Sequence, residues 1–344
     1  MIIMKPAARP GEINAVIGKI KSAGLKADVS KGEGQTVIGI IGDESRIDFD
    51  MLRSMRGVET AKHIQVPYKL MTKEYLQEEN IIIEANGARV GAEGITYIAG
   101  PCSIESYDQL ARIAQQVKEA GAQVLRGGTF KPRTSVHSFQ GLGELGLQHL
   151  QKVGRELGIA TVTEVRSESH AELVAAYVDI LQIGMRNMYN QDLLEAVARQ
   201  NKPILFKRSH AAQIQEFLSF GQYIVAAGNR QIMLCERGIL PLGGSFEPET
   251  RNTLDLSAVP VLAAKTPFPI IVDPSHATGR RDLILPMSMA AVASGARGLI
   301  IEVHDRPEEA LSDGAQALMP AQLKGLIRRC DGISELLRSD SQNG

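Results

Sequence analysis

The sequence predicts a (β/α)8 barrel preceded by a small ferredoxin-like α+β domain, on three observations. From Ile95 onward eight short apolar runs recur in series: ITYIAG, QVLRG, IATVTE, DILQIG, PILFKR, QIMLCE, PIIVDP and GLIIEVH. Each pair is separated by a segment long enough for the crossover helix that parallel pairing requires. A hairpin-like pair, Ile81 to Glu84 and Arg89 to Val90 about an Asn86-Gly87 turn, stands just ahead of the first run and suits the closed bottom of a barrel. The chain has 344 residues, more than the roughly 250 of a single barrel, which leaves room for one further domain.

Residues 1–66 read as a βαββαβ unit. The apolar start Ile2 to Met4 leads into a helix whose Ile13, Val16, Ile17 and Ile20 share one face, and Gly24 ends it. Strands are expected at Lys26 to Ser30 and Thr36 to Ile41, a short helix around Leu52 and Met55, and a last strand over Val58 to Val66. Residues 67–79 are expected to form a linker, and residues 80–344 the barrel with its hairpin. The first crossover helix shows its pattern clearly. Ser106 and Gln109 stand in capping-box spacing, and Leu110, Ile113, Ala114 and Val117 line one face.

Composition narrows the function. The net charge is −1 and no long block of Lys or Arg occurs, so neither a nucleic-acid surface nor an anionic-membrane surface is expected. No stretch approaches a membrane span, and the N-terminus lacks signal-peptide character, so the expectation is a cytoplasmic protein acting on small molecules. The three cysteines, Cys102, Cys235 and Cys330, show no CxxC spacing and read as reduced thiols, one of them a candidate ligand.

In such barrels chemistry sits at the C-terminal ends of the strands. Those ends carry Cys102, then Arg126 and Lys131, Glu164, Arg186, Lys207, Arg237, His276 and Glu302. Cys102, His276, Glu302 and Asp313 offer sulfur, nitrogen and two oxygen donors. That mixture fits a first-row divalent metal and excludes a dedicated calcium or magnesium site. Arg126, Lys131, Arg186, Lys207 and Arg237 form a cationic set sized for a phosphate and a carboxylate together, the pairing found in phosphoenolpyruvate. Around VLRGGTFKPRTS, cations about 6 Å apart cost roughly 3 kcal/mol per pair at an effective dielectric near 20, which an anionic ligand offsets. Gly127 and Gly128 are expected to let backbone amides approach that ligand, and Pro132, Arg133 and Thr134 add a preset turn, an arginine fork and a hydroxyl.

The series GPCSIES, LRGGTFKPRTS with FQGLG, IGMRN, LFKRS, CERG, VDPSHATGRRD, and IEVH with LSDG resembles that of 3-deoxy-D-arabino-heptulosonate 7-phosphate (DAHP) synthases. The resemblance is to the subclass with an N-terminal ferredoxin-like domain, and it runs over essentially the whole chain. It implies a metal-dependent condensation of phosphoenolpyruvate with erythrose 4-phosphate that releases phosphate at the head of the shikimate pathway. It also implies that Cys102, His276, Glu302 and Asp313 hold one divalent ion (Mn, Fe, Co or Zn). Arg186, Lys207 and Arg237, with Arg126 and Lys131 beside them, would then hold phosphoenolpyruvate. Pro132, Arg133 and Thr134 would receive erythrose 4-phosphate, and Lys131, Glu164 and His276 are the catalytic candidates. A homotetramer and an aromatic amino-acid effector at the N-terminal domain, near Asp28 and Ser30, complete the expectation.

Three rivals differ in what they leave unexplained. The 3-deoxy-D-manno-octulosonate 8-phosphate synthases share barrel and phosphoenolpyruvate, but their loop resembles KANR followed by serines where this chain has Lys131-Pro132-Arg133-Thr134. A Schiff-base aldolase built on Lys207 leaves the four metal-donor residues idle. A non-enzymatic metabolite sensor is favoured only by the N-terminal module.

Overall fold

The computed structural model describes residues 1–31, 35–62, 66–131, 139–241 and 249–342. The chain divides into two compact units, Met1–Lys69 and Leu70–Gly344.

The first unit is a four-stranded antiparallel sheet of β1 (Ile2–Met4), β2 (Lys26–Lys31), β3 (Thr36–Ile41) and β4 (Val58–Ala61), in the order β2-β3-β1-β4. Helices Pro10–Ser22 and Phe49–Ser54 supply the other half of its core, where Ile2, Met4, Val16, Ile20, Ile38 and Leu52 are fully buried. The alternation on β1 explains the packing: Ile2 and Met4 face inward while Ile3 is only partly covered. Strand β4 is shorter than its sequence pattern suggests and ends at Ala61. Asp48 caps the second helix by accepting from the backbone N–H groups of Asp50 and Met51.

The second unit begins with residues expected to be linker, yet part of that stretch is built into the fold. Leu70 N donates to Gln222 Oε1 at 3.0 Å, Met71 is fully buried, and Thr72 caps a short helix at Lys73–Leu76. A hairpin of β5 (Ile83–Ala85) and β6 (Ala88–Val90) follows.

Then come the eight parallel strands. They are β7 (Thr96–Gly100), β8 (Val124–Arg126), β9 (Ala160–Val165), β10 (Ile180–Ile183), β11 (Ile204–Lys207), β12 (Ile232–Glu236), β13 (Ile270–Val272) and β14 (Gly298–Glu302). They close into a barrel by pairing β14 with β7, from Gly298 opposite Thr96 to Glu302 opposite Gly100. Helices cover the outside, so the strands are buried on both faces, which is why they read as unbroken apolar runs. Ile83, Ala85, Ala88 and Val90 of the hairpin join Ile98, Val124, Ala160 and Ile180 in one core cluster. Ile81 N also donates to Pro267 O, ahead of β13, so the hairpin fills the end where the strands begin. Ser106 caps the first crossover helix as expected, but the box is half made: Gln109 turns its Oε1 to the N–H of Glu105 instead.

Among the described residues no helix is long and apolar enough to cross a membrane. All three cysteines are free and buried.

Candidate active site

The strand ends gather one polar centre. Cys102 follows β7, His276 lies on a short helix directly after β13, Glu302 ends β14, and Asp313 stands in the loop beyond it. One donor atom from each falls within 4.8 Å of the others.

His276 is fixed from two sides. Its helix, Pro274–Thr278, starts on Asp273, which accepts from the His276 backbone N–H at 3.0 Å through Oδ1. The other oxygen of Asp273 lies 2.8 Å from His276 Nδ1, which leaves Nε2 facing Glu302 Oε1 at 3.1 Å. Burial alone would lower the His276 pKa, but the carboxylates of Asp273 and Glu302 outweigh it and lift it to about 10. Burial pushes Glu302 upward, and His276 with Arg126 overcomes that to hold it well below the usual carboxylate range.

Glu302 is held as firmly. Oε1 accepts from Arg126 Nη1 at 2.9 Å, Oε2 accepts from Gln316 Nε2 at 2.5 Å, and the backbone N–H donates to Ser275 Oγ at 3.0 Å. Lys131 Nζ donates to both the Sγ and the carbonyl of Cys102, at 2.9 and 3.0 Å. Cys102 Sγ lies 3.0 Å from Asp313 Oδ2, and Arg251 Nη1 lies 3.3 Å from Asp313 Oδ1.

Beside this centre opens a cavity lined by Lys131, Glu164, Arg186, Lys207, Arg237 and Arg251, with His276 and Asp313 forming the wall it shares with the four-donor cluster. Lys207 Nζ is 2.5 Å from Asp273 Oδ2, the oxygen that also faces His276. Arg237 Nη2 donates to His276 O at 2.9 Å, while its Nη1 is buried with no hydrogen-bond partner among the described residues. Burial lowers the Arg237 pKa, and a buried guanidinium N–H of this kind is suited to an anionic acceptor. Glu164 Oε2 accepts from Gln182 Nε2 at 3.4 Å, and a Cβ on Gly184 would lie 2.0 Å from Glu164 Oε1.

Every catalytic, substrate-binding and metal candidate that the structure describes lies in or against this centre: Cys102, Arg126, Lys131, Glu164, Arg186, Lys207, Arg237, His276, Glu302 and Asp313. Pro132, Arg133 and Thr134 lie outside the described residues. One expectation changes. The space beside Gly128 is taken by the chain itself, since a Cβ there would lie 2.4 Å from Cys102 O and 2.9 Å from Lys131 Cδ. This glycine lets the lysine and the cysteine loop meet.

Asp273, Arg251 and Gln316 were missed. So was a buried charge group behind the rim, in which Arg208 Nη1 donates to Glu236 Oε2 and Asp255 Oδ2, both at 2.8 Å. Strand alternation sends Lys207 into the cavity and Arg208 away from it, so the triad ties the end of β11 to that of β12. The Asp-Pro pair at the end of β13, three residues before a histidine, was a readable cap signal for Asp273. Arg251 had none.

Residues 79–337 match the DAHP synthetase I family, and residues 1–66 match the DAHP synthase ferredoxin-like domain. A phospho-2-dehydro-3-deoxyheptonate aldolase of Thermotoga maritima is 44% identical over 337 residues, 98% of each chain. A 2-dehydro-3-deoxyphosphooctonate aldolase of Nitrosococcus oceani is 32% identical over 75% of this chain and 96% of its own length. The crystal structure of the Thermotoga maritima DAHP synthase superimposes with a TM-score of 0.91 at 44% identity, covering 98% of this chain and 97% of that one. A truncated form of the Thermotoga maritima synthase gives a TM-score of 0.71 at 42% identity, covering 79% of this chain and 98% of that one.

Proposed function

This chain belongs to the DAHP synthetase I family, and on that premise we propose how its residues divide the condensation of phosphoenolpyruvate with erythrose 4-phosphate. The activity is DAHP synthesis, a transferase reaction. The observation that carries the assignment of roles is the meeting of a four-donor cluster and a cationic cavity along one wall.

Cys102, His276, Glu302 and Asp313 hold one first-row divalent ion, manganese, iron, cobalt or zinc, as their mixed soft and hard donors suit. When bound, the ion supplies Lewis-acid polarisation of the sugar aldehyde. Arg186, Lys207 and Arg237 grip the phosphate and carboxylate of phosphoenolpyruvate, with Arg126 and Lys131 beside them. Pro132, Arg133 and Thr134 receive erythrose 4-phosphate, the arginine and threonine on its phosphate. So positioned, the methylene carbon of phosphoenolpyruvate attacks the aldehyde carbon while Lys131 gives a proton to the aldehyde oxygen. Glu164 orients the water that adds to the resulting cationic carbon. The hemiketal phosphate then collapses to the ketone and inorganic phosphate, whose charge the arginines stabilise as it leaves.

Residues 1–66 serve control, as a site for an aromatic amino acid near Asp28 and Ser30. The working form is a cytoplasmic homotetramer.

The test is phosphate release by purified protein with phosphoenolpyruvate and a panel of aldose phosphates, before and after chelation and manganese return. Erythrose 4-phosphate is expected to give the highest kcat/KM, with arabinose 5-phosphate poor and no turnover in chelator. Equal turnover of arabinose 5-phosphate, or full activity without metal, overturns the assignment.

A further inference from the structure

The buried charge group behind the rim is interleaved in sequence with the cations of the cavity. Lys207 stands opposite Cys235 in the register of β11 on β12, and the backbone N–H of Arg208 extends that pairing by donating to Cys235 O at 2.9 Å. Arg208 and Glu236 thus share the outward side, while Lys207 and Arg237 share the inward side and line the cavity. Arg208 Nη1 donates to Glu236 Oε2 and Asp255 Oδ2, both at 2.8 Å, and its Nε donates to Ala212 O at 2.9 Å. The other oxygen of Glu236 accepts from Gly238 N at 2.6 Å, so one carboxylate brackets the backbone that carries Arg237. Asp255 follows Arg251 on a segment pinned to Ile239 through Thr253 by two backbone hydrogen bonds of 2.9 Å.

Cations gathered on one cavity repel one another, and they keep a fixed spacing only if the backbones beneath them are held. A guanidinium shared by two carboxylates does this well. Its planar fork and both acceptors are directional, and none of the three buried groups can swing away without leaving a charge uncompensated. We propose that Arg208, Glu236 and Asp255 form a positioning device for phosphoenolpyruvate, which sets the separation of Lys207 and Arg237 and holds the segment that presents Arg251. None of the three lines the cavity. The proposal rests on the functional reading above, which places phosphoenolpyruvate on Lys207 and Arg237, and deepens it. The group acts on β11, β12 and the segment of Asp255, whereas erythrose 4-phosphate is assigned to Pro132, Arg133 and Thr134 beyond β8. Its influence is therefore selective for one substrate.

The experiment is steady-state kinetics of the full-length protein supplied with manganese, for both substrates, in the wild type, Arg208→Lys and Asp255→Asn, with a melting curve for each. Arg208→Lys keeps the charge and loses the fork, and Asp255→Asn keeps an acceptor and loses the charge. The Asp255 side chain is 16% accessible against 6% for Arg208, so its variant remains a usable test if the more buried one does not fold. The KM for phosphoenolpyruvate should rise roughly fivefold or more in each, with the KM for erythrose 4-phosphate within about twofold of wild type and kcat within about threefold. A merely structural role would lower Tm and the active fraction, which reads as a lower kcat at unchanged KM. General loosening of the barrel would raise both KM values together. Either of those patterns in the folded variants, or a KM for phosphoenolpyruvate within about twofold of wild type, overturns the positioning role. Wild-type protein that does not turn over the two substrates with manganese overturns the functional reading and this proposal with it, which separates the two failures.

Discussion

Arg126 Nη1 meets Glu302 Oε1 at 2.9 Å with both side chains almost wholly buried, so a cation proposed to bind substrate and a candidate metal ligand form one ion pair. Removing one member of such a pair leaves the other charged and unsolvated, at about 3–5 kcal/mol. Arg126→Met is therefore expected to lower the stability of the metal-free protein by that amount in urea unfolding. Saturating manganese should recover much of the loss, because Glu302 then has a new partner. An equal loss with and without metal argues against Glu302 as a ligand.

Gly184→Ala is the sharpest probe of Glu164. The added methyl would sit 2.0 Å from Glu164 Oε1 and 2.6 Å from its Cδ, and that carboxylate must move about an ångström. Misplacement on that scale costs ~10²-fold in rate. We expect kcat to fall by that order with little change in the KM for phosphoenolpyruvate. An unchanged kcat removes Glu164 from the water-orienting role.

The pH dependence of the metal-free protein follows from His276, whose pKa the flanking carboxylates lift to about 10 against the opposing effect of burial. A raised pKa means stability that is fully present below the unfolded value near 6.5 and is lost as pH climbs through the folded value. Asp273 and Glu302, both depressed despite burial, act in the other sense. Their contribution is present above the ordinary carboxylate pKa near 4 and disappears as pH falls below it. Metal-free protein should thus show its highest Tm between about pH 4.5 and 6.5, declining toward pH 10, and Asp273→Asn should flatten the alkaline side. Metal uptake at neutral pH should also release the His276 proton, read as a heat that depends on the ionisation enthalpy of the buffer.

A chain lacking the N-terminal unit should keep catalysis and ignore tyrosine and phenylalanine, whereas the full-length protein responds to at least one of them. The cut must fall before Leu70. Starting at Lys73 deletes the buried Met71, whose Cε would be 2.7 Å from a Cβ on Gly221, together with the Leu70 contact to Gln222. Loss of a buried methionine costs about 2–5 kcal/mol, so the shorter chain should melt earlier than one starting at Pro67. Equal inhibition of the folded barrel and the full chain would assign the effector site to the barrel.

How far these features could be read from the sequence depended on how local they were. The barrel was legible because strands buried on both faces leave continuous apolar runs, and four of them stop at a charged residue, Arg126, Lys207, Glu236 and Glu302. The place of Leu70 and Met71 was hidden, because their partners Gln222 and Gly221 lie about 150 residues away in the chain. Arg251 was hidden for a related reason. Its segment has no periodicity, and it reaches the site through an isolated bridge between Ile239 and Thr253 that no pattern announces. Asp273 could be read as a helix cap but not as the shared partner of His276 and Lys207, since that depends on the side-by-side register of β11, β12 and β13.

The hairpin of Ile83–Ala85 and Ala88–Val90 fills the end of the barrel where the strands begin, and this bears on the traffic of molecules. With that floor filled by the hairpin's apolar side chains, the cavity among the described residues lies at the opposite rim, and the proposed reactants and products meet there. Freshly cut phosphate would then leave past the same arginines that are proposed to hold phosphoenolpyruvate. It should compete with the next phosphoenolpyruvate for the same threshold, visible as product inhibition that raises the KM for phosphoenolpyruvate and spares kcat.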